Sequence, residues 1–248
     1  MKIPTTALTV GLLLLPLLAH AQSPAAPSTP PCIDLSAKPA LTKPAGQHGV
    51  ISQAERIMGI KASARPTTGQ NICPLTPGQK FEVWVRESYS PVNLVTAAGE
   101  AAIWQASQPA SEGGYGQGWD AYGSRFGASL ANAESARFFQ TFLFPSLLHE
   151  DPRYFREARG ATGHRFGYAV SRVLVARTDD GQHRFNVSEV SGAFLSAALT
   201  NAYYPDADRN TPRTMRAAGL NLAASAGWNL LYEFGPDVLR KLKGKQKQ

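Results

Sequence analysis

The chain has 248 residues, of which 43% are hydrophobic and 17% are charged, and its formal net charge is +7. This apolar content is sufficient to form a buried core, so the composition excludes an intrinsically disordered protein. Collagen-like, coiled-coil and cysteine-rich proteins are also excluded, because the chain lacks their periodic repeats and has only two cysteines.

The N-terminus has the features of a secretory signal peptide. Lys2 precedes an uncharged, mainly apolar run over residues 7–18, and Ala19-His20-Ala21 places small residues where a signal peptidase cleaves. The run is shorter than the roughly 20 residues of a membrane-spanning helix. The sequence therefore predicts a signal peptide over residues 1–21, cleavage after Ala21, and export to the periplasm or the outer envelope.

A leader follows over residues 22–47 and carries six prolines, which stop a helix or a sheet from extending. The two cysteines of the chain are Cys32 in this leader and Cys73 just before the first long helix. In an oxidising compartment the simplest state of such a pair is a disulfide bond. We therefore predict that Cys32 and Cys73 are bonded and hold the leader against the body of the protein.

Residues 48–237 have the pattern of a helical domain, followed by a basic tail over residues 238–248. Thr76-Pro77-Gly78-Gln79 combines an N-cap, a proline at the first helical position and a glutamine that completes a capping box. Ser90-Pro91 repeats this start signal and predicts a break. The predicted helices run from Pro77 to the break, from there to about Ser107, and over residues 119–144, 164–175, 188–203 and 211–235, with Gly235-Pro236 ending the last one.

A short β-hairpin is predicted between the fourth and fifth helices. Thr178-Asp179-Asp180-Gly181 is a strong turn signal. The apolar and β-branched residues of segments 173–175 and 185–187 flank this turn and can pair as strands.

Three predicted helices carry a small residue at every fourth position, which places these residues on one face of each helix. Small side chains on one face let neighbouring backbones approach closely. We therefore predict a mainly α fold, a compact helical bundle with small-residue helix interfaces and at most one short hairpin. The small residues are Gly123, Gly127, Ala131 and Ser135; Gly192, Ser196 and Thr200; and Gly219, Ala223 and Gly227.

The same pattern also suits helices inserted in a membrane. The uncharged stretches 190–204 and 217–232 are shorter than the roughly 20 residues that a bilayer requires. The third helix contains Asp120, Arg125 and Glu134, which are costly in lipid. These two observations favour a soluble bundle, and peripheral association with a membrane remains an alternative.

The densest polar segment lies at a predicted helix end, from His149 to Tyr154. Its carboxylates and imidazole suit general acid–base catalysis, and an arginine there can hold an anionic group. The alternative is a purely structural corner, in which Arg153 pairs with Glu150 or Asp151. Catalytic candidates are His149, Glu150, Asp151 and Glu100; binding candidates are Arg153, Tyr154, Arg125, Asp120, Tyr203 and Tyr204.

No H-E-x-x-H motif or comparable ligand spacing occurs, so the sequence predicts neither a metal site nor a cofactor. Arginines are dense over residues 153–184, and lysines are dense in the tail. This basic charge suits a membrane surface or an anionic envelope glycan. Nucleic acid is disfavoured by export and by the lack of a combined aromatic and basic platform.

Five segments carry distinctive motifs: Arg56–Ile60, Pro74–Phe81, Gly116–Gly127, Leu147-Leu148-His149-Glu150-Asp151-Pro152-Arg153-Tyr154-Phe155, and Asn201–Pro205. In these motifs the chain resembles a family of exported proteins from soil-type bacteria such as acidobacteria, over residues 56–237. That family has no assigned activity, so the resemblance implies export and a shared fold and implies no catalytic role.

The sequence thus predicts an exported helical protein of the cell envelope with a structural or binding role and an affinity for membranes. A glycan-processing or other hydrolase is the first alternative, with the His149–Tyr154 segment acting together with Glu100 or Glu87. A membrane-inserted helical assembly is the second. An enzyme would have to bring the predicted polar residues into one concave site.

Overall fold

The computed structural model describes residues 32–34, 65–107, 114–206 and 209–245. The predicted signal peptide and most of the leader lie outside these residues. The described chain is mainly α-helical and contains a small three-stranded antiparallel sheet, so the predicted fold class is confirmed.

Helices α1 (Pro77–Ser88) and α2 (Pro91–Ser107) begin where the sequence predicts. The capping box of α1 forms in both directions. The backbone N–H of Gln79 donates to Thr76 Oγ1 over 3.3 Å, and the N–H of Thr76 donates to Gln79 Oε1 over 2.8 Å. Local sequence chemistry therefore fixes the start of α1.

Helix α3 (Trp119–Arg137) continues into a π-helix (Phe138–Leu143) and a short helix α4 (Phe144–Leu148). The sequence predicts one regular helix to residue 144 and misses the π-helix. Proline 145 has no N–H to donate one turn back, and the N–H of Phe144 donates to the carbonyl of Phe139, five residues earlier. This wider turn also packs Phe142 and Phe138 against Phe81 and Trp84 of α1.

Helix α5 (Thr162–Ser171) leads into a sheet with the strand order β1–β2–β3, formed by Glu150–Asp151, Val175–Thr178 and His183–Phe185. The predicted turn at 178–181 is confirmed. The pairing partner of Phe185 is Val175, so β2 starts at the last residue of the predicted strand. The sequence misses β1, because pairing with β2 across a long connection leaves no local signal.

Helix α6 (Val187–Leu199) is capped by Asn186, whose side chain accepts from the N–H of Glu189 over 2.9 Å. A 3₁₀ turn (Thr200–Ala202) ends it, and helix α7 spans Thr211–Lys245. The predicted end of the last helix at Gly235-Pro236 is wrong, because α7 continues with Pro236 inside it. Three residues before this proline, the carbonyl of Glu233 accepts hydrogen bonds from Arg156 and Arg165.

The predicted small-residue faces are correct for one of the three helices. Gly192, Ser196 and Thr200 are buried on α6. On α3 the predicted Gly123, Gly127 and Ala131 are exposed, and on α7 the predicted Gly219, Ala223 and Gly227 are exposed. The buried face of α3 is lined instead by Ala121, Arg125, Ala128, Ser129 and Ala136.

Small residues therefore do form the helix interfaces, although not always the predicted ones. Helix α3 carries two faces of small residues, and the buried one also contains the charged Arg125. Arginine is usually exposed, so the sequence gives no local sign that the face containing Arg125 is the buried one.

We expect Gly192→Ala to destabilise the protein by about 1–3 kcal/mol, because the new Cβ would lie 2.6 Å from Gln140 Cγ and 3.2 Å from the Gln140 backbone nitrogen. Gly227→Ala is the matched control, since nothing lies within 4 Å of its Cβ position. It should stabilise α7 by roughly 0.5–1 kcal/mol. Urea unfolding measures both, and equal effects would contradict the close α6 contact.

The predicted disulfide between Cys32 and Cys73 is confirmed. Next to it, the N–H of Ile33 donates to the Asn71 carbonyl over 2.8 Å, and the N–H of Cys73 donates to the Ile33 carbonyl over 3.1 Å. The bond thus joins two segments that also pair through their backbones.

We expect Cys32→Ser/Cys73→Ser to lower the free energy of unfolding by about 2–4 kcal/mol, because the bond closes a loop between residues 41 positions apart. Urea unfolding of the double variant measures this loss. Reductant should destabilise the wild-type protein to a similar extent and leave the variant unchanged. A double variant with the same urea midpoint as the wild type would contradict the stabilising role of the disulfide.

Candidate functional site

The predicted His149–Tyr154 segment lies where α4, the sheet and α6 meet. His149 follows the last residue of α4 with a left-handed backbone (φ 55°), and its side chain is exposed. Its N–H donates to the Pro145 carbonyl, and its own carbonyl accepts from Asp179 over 2.9 Å. The backbone of His149 therefore ends the helix and begins the sheet.

Glu150 is almost fully buried, with 2% of its surface exposed. Its Oε1 accepts from Arg184 Nε over 3.1 Å, and its Oε2 accepts from the backbone N–H of Ser188 over 3.3 Å. A carboxylate at the first turn of a helix interacts favourably with the helix dipole. Glu150 thus joins β1 to the N-terminus of α6.

Asp151 and Arg153 form an ion pair, which is one of the two structural pairings that the sequence allows. Arg153 Nε donates to Asp151 Oδ1 over 2.9 Å, and a terminal nitrogen of Arg153 donates to Oδ2 over 2.6 Å. The same terminal nitrogen donates to the Cys73 carbonyl over 2.8 Å. This pair connects the corner to the disulfide segment.

A buried lysine that the sequence analysis misses supports the same region. Lys80 is 1% exposed, and its Nζ donates to the Pro145 carbonyl over 3.0 Å and to Asp179 Oδ2 over 2.7 Å. The partners are 65 and 99 residues away in the chain. Its position on an amphipathic helix gives no local sign that it is buried.

The second missed residue is Glu233 of α7, which is completely buried. Arg165 Nε donates to its Oε1 over 2.7 Å, and Tyr154 Oη donates to its Oε2 over 3.0 Å. The backbone N–H groups of Ala158 and Glu157 donate to the same two oxygens over 2.9 and 3.0 Å. The predicted binding residue Tyr154 therefore serves this buried carboxylate.

Charge around Glu233 is balanced by neighbouring side chains. Arg165 also pairs with Asp237 over 2.8 Å, and Arg156 donates to the Glu233 carbonyl over 2.7 Å. Burial by itself raises the pKa of the Glu233 carboxyl, but the hydrogen bonds from Arg165, Ala158, Glu157 and Tyr154 outweigh it and hold that pKa below its usual value. The ionised form is therefore the stable one.

We expect Glu233→Gln to lower the free energy of unfolding by about 3–5 kcal/mol, because it leaves buried arginine charge without its partner. Glu82→Gln on the exposed side of α1 is the control and should change stability by less than about 0.5 kcal/mol. Urea unfolding at pH 7 measures both. A Glu233→Gln variant as stable as the control would contradict the role of this group.

The same residue predicts a pH dependence. Since its folded pKa lies below the unfolded value of 4.5, the carboxylate stabilises the fold above pH 4.5, and this contribution is lost as the pH falls through the folded pKa. In Glu233→Gln this part of the acid sensitivity should disappear. This is tested by measuring the free energy of unfolding of the wild type and of Glu233→Gln from pH 7 down to the pH at which the proteins no longer fold.

The remaining predicted residues occupy another part of the molecule. Arg125 is 1% exposed; it donates to Gln105 Oε1 over 2.9 Å and lies 5.9 and 5.7 Å from the ring centres of Trp104 and Tyr115. The Tyr204 ring packs 5.3 Å from that of Trp104. An aromatic cluster thus encloses this arginine.

Tyr203 and Tyr204 meet at Asn132 of α3, which hydrogen bonds both phenol groups. Burial raises the pKa of Tyr203 to about 12, so the phenol remains protonated at neutral pH. Asp120 is exposed in the first turn of α3, and Glu100 is exposed on α2, where partial burial of the carboxyl raises its pKa. The aromatic cluster makes contacts separate from those of the His149–Tyr154 corner.

Within the described ranges, no three His, Cys, Asp or Glu side chains come together in a way that could hold a metal ion. The side chains of Glu150, Asp151, Arg153 and Tyr154 are engaged in bonds that hold elements of the fold together. These structural bonds account for the polar side chains of the His149–Tyr154 segment.

The distribution of side chains between interior and surface is unusual. The largest fully buried side chains include Arg125, Lys80, Glu150 and Glu233, and most of the buried hydrophobic residues are alanines. Large apolar side chains are exposed on several helices, including Ile103 of α2 at 72% and Phe166 of α5 at 53%. Helices with small or charged residues inside and large apolar residues outside are typical of proteins in contact with lipid.

The clearest case is the antiparallel pair α6 and α7. At one end Asn201 donates to Thr214 Oγ1 over 3.1 Å, and at the other Ser225 is hydrogen bonded to Glu189. Between these links the outer side carries five apolar side chains, each 42–59% exposed. We call them the α6–α7 patch: Phe194, Leu195, Leu199, Met215 and Leu220.

Among the helices of the described ranges, none combines the length and apolar character that crossing a bilayer requires. Comparison of the chain with protein-family models, with curated proteins and with solved structures finds no match in any of the three.

Proposed function

We propose that this is an exported protein of the cell envelope that binds an anionic membrane surface through the α6–α7 patch. The observation that carries the proposal is the inverted arrangement of side chains on α6. Its inward face is small, with Gly192, Ala193 and Ser196 buried, while Phe194 and Leu195 point outward.

The free energy gained when apolar side chains leave water supports binding at the surface of a bilayer. A large apolar side chain contributes about 1.5–3 kcal/mol when it is fully removed from water, and five are available in the patch. Residues 190–204 and 217–232 carry no charge. At 1.5 Å per residue each stretch is about 23 Å long, which is shorter than the roughly 30 Å hydrocarbon core. A pair of helices lying in the interface suits these lengths.

Charge supports an anionic lipid as the partner. Arg213 and Arg216 are exposed on the first turns of α7, beside Met215 of the patch. The net charge of the whole chain is +7. Each basic residue near an anionic membrane contributes about 1 kcal/mol of attraction.

The disulfide supports a location outside the cytoplasm. Such bonds persist in oxidising compartments and are rare in the reducing cytosol. The bond joins Cys32, which follows the predicted signal peptide, to Cys73 at the start of the helical body. A disulfide-bonded protein outside the cytoplasm is consistent with binding to a lipid surface of the cell envelope.

Vesicle flotation tests this proposal. The wild-type protein should float with vesicles containing phosphatidylglycerol and bind more weakly to vesicles of phosphatidylcholine alone. Phe194→Ser/Leu220→Ser should weaken the binding at least tenfold, because both lost side chains enter the apolar interface. Ile103→Ser, on α2 outside the patch, is the matched control and should bind as the wild type does.

Four outcomes would overturn the proposal. One is wild-type protein that does not float with anionic vesicles. Another is an equal loss of binding in the patch variant and the control. The third is a patch that is covered by a second copy, seen in light scattering as a dimer that Phe194→Ser/Leu220→Ser dissociates. The fourth is protein that stays in native envelopes after they are washed with carbonate, which indicates helices inserted in the membrane.

A further inference from the structure

A second feature of the fold is a group of basic side chains where α5 leads into the β-hairpin. Two arginines there, Arg172 and Arg177, are half-buried, and within the described ranges neither makes an ion pair or a side-chain hydrogen bond. They are exceptions in this part of the chain, because four other arginines of segment 153–184 pair with carboxylates over 2.6–3.8 Å. These four are Arg153, Arg156, Arg165 and Arg184.

The two guanidinium groups are held over aromatic rings that are joined to each other. Arg172 Cζ lies 5.6 Å from the ring centre of Tyr168, and Arg177 Cζ lies 4.2 Å from the ring centre of Phe155. The hydroxyl of Tyr168 donates to the Phe155 carbonyl over 2.8 Å, which brings the two supports together. Stacking on a ring orients an arginine and leaves the N–H groups at the edge of the guanidinium available.

His183 completes the group. It pairs directly with Arg177 across the hairpin, and partners on one face of an antiparallel pair have Cβ atoms about 4.5–5.5 Å apart. Partial burial lowers the pKa of the His183 ring, and the charges of Arg172 and Arg177 lower it further. The imidazole is therefore neutral at pH 7 and offers one N–H donor. We call these three side chains the Arg172–Arg177–His183 cluster.

The donor atoms of the cluster are open to solvent. Among the described residues, the unpartnered side-chain atoms that are closed to solvent include no nitrogen of Arg172 or Arg177, and His183 is exposed. Partial burial lowers the pKa of Arg172, and the nearby charge of Arg177 acts in the same direction. Both effects disfavour the charged guanidinium, and an anion bound between the side chains would relieve them.

The donors define the anion that fits them. A guanidinium presents parallel N–H groups to two oxygens of a phosphate, and a phosphate monoester has three terminal oxygens and nearly two negative charges at neutral pH. A carboxylate has only two oxygens and one charge. We propose that the Arg172–Arg177–His183 cluster binds a phosphate monoester, whose terminal oxygens accept from the two guanidinium groups and from the imidazole.

The phosphate can belong to a lipid headgroup or to a soluble molecule, and the neighbouring Phe185 favours the lipid. Residues two apart in a strand share a face of the sheet, so Phe185 lies on the same face as His183. Its side chain is 57% exposed. The cluster contains no residue of the α6–α7 patch, so this proposal does not rest on membrane binding by that patch.

Calorimetric titration of the full chain with glycerol 3-phosphate tests the site without a membrane, and acetate is the comparator. We expect glycerol 3-phosphate to bind with a Kd of about 1 mM or lower, and acetate about tenfold more weakly or less. Arg172→Gln and Arg177→Gln should each weaken the binding of glycerol 3-phosphate about tenfold. Arg159→Gln is the matched control, because it removes an equal charge from an exposed arginine of the same segment and should bind as the wild type does.

Two further variants separate charge from geometry. Arg172→Lys and Arg177→Lys keep the positive charge and lose the planar pair of donors, so each should bind glycerol 3-phosphate less tightly than the wild type and more tightly than the matching glutamine variant. They also test the site if a glutamine variant does not fold. Glycerol 3-phosphate should raise the unfolding temperature of the wild type more than that of any of these four variants.

Vesicle flotation identifies the source of the phosphate. Phosphatidic acid carries a phosphate monoester and phosphatidylglycerol does not, so the two are compared at equal surface charge. A preference of the wild type for phosphatidic acid that Arg172→Gln/Arg177→Gln abolishes would support the site and identify a lipid headgroup. Equal flotation on both lipids, together with binding of glycerol 3-phosphate, would support the site and identify a soluble phosphate.

Three results would overturn the proposal. They are no heat with glycerol 3-phosphate, acetate binding as tight as that of glycerol 3-phosphate, and an equal loss of binding in Arg159→Gln and the two glutamine variants of the cluster. None of these results bears on the α6–α7 patch, because flotation on phosphatidylglycerol tests that proposal separately.

Discussion

The fold depends most on one buried carboxylate, that of Glu233. The carboxylate accepts hydrogen bonds from two backbone N–H groups, a tyrosine hydroxyl and an arginine. The backbone carbonyl of Glu233 accepts from Arg156 and Arg165. These bonds hold the chain after β1 and helix α5 against α7. A charged group thus takes the place that a cluster of large apolar side chains has in most cores.

Features encoded by neighbouring residues could be predicted from the sequence, and features that depend on distant partners could not. The capping box at Thr76, the restart at Ser90-Pro91 and the turn at 178–181 are local, and the structure has all three. The burial of Lys80 and Glu233 depends on partners at least 65 residues away, so no local pattern marks it. Small residues line two faces of α3, and only the tertiary contacts decide which face is buried.

The candidate site divides in the same way. The sequence identified the polar corner at His149–Tyr154, and the structure accounts for its charges by bonds to Arg184, Cys73 and Glu233. The surface to which we assign binding carries a weaker signal. Phe194 and Leu195 look like core residues in a sequence, because apolar side chains are usually buried.

The order of these groups along the chain has a consequence for synthesis. Glu233 follows Arg156 by 77 residues and Arg165 by 68, so a ribosome makes both arginines well before their counter-charge. Until Glu233 emerges, burying the two guanidinium groups is costly, because the carboxylate that satisfies them in the folded protein is still missing. The packing of α5 against α7 therefore belongs to a late stage of folding on the ribosome.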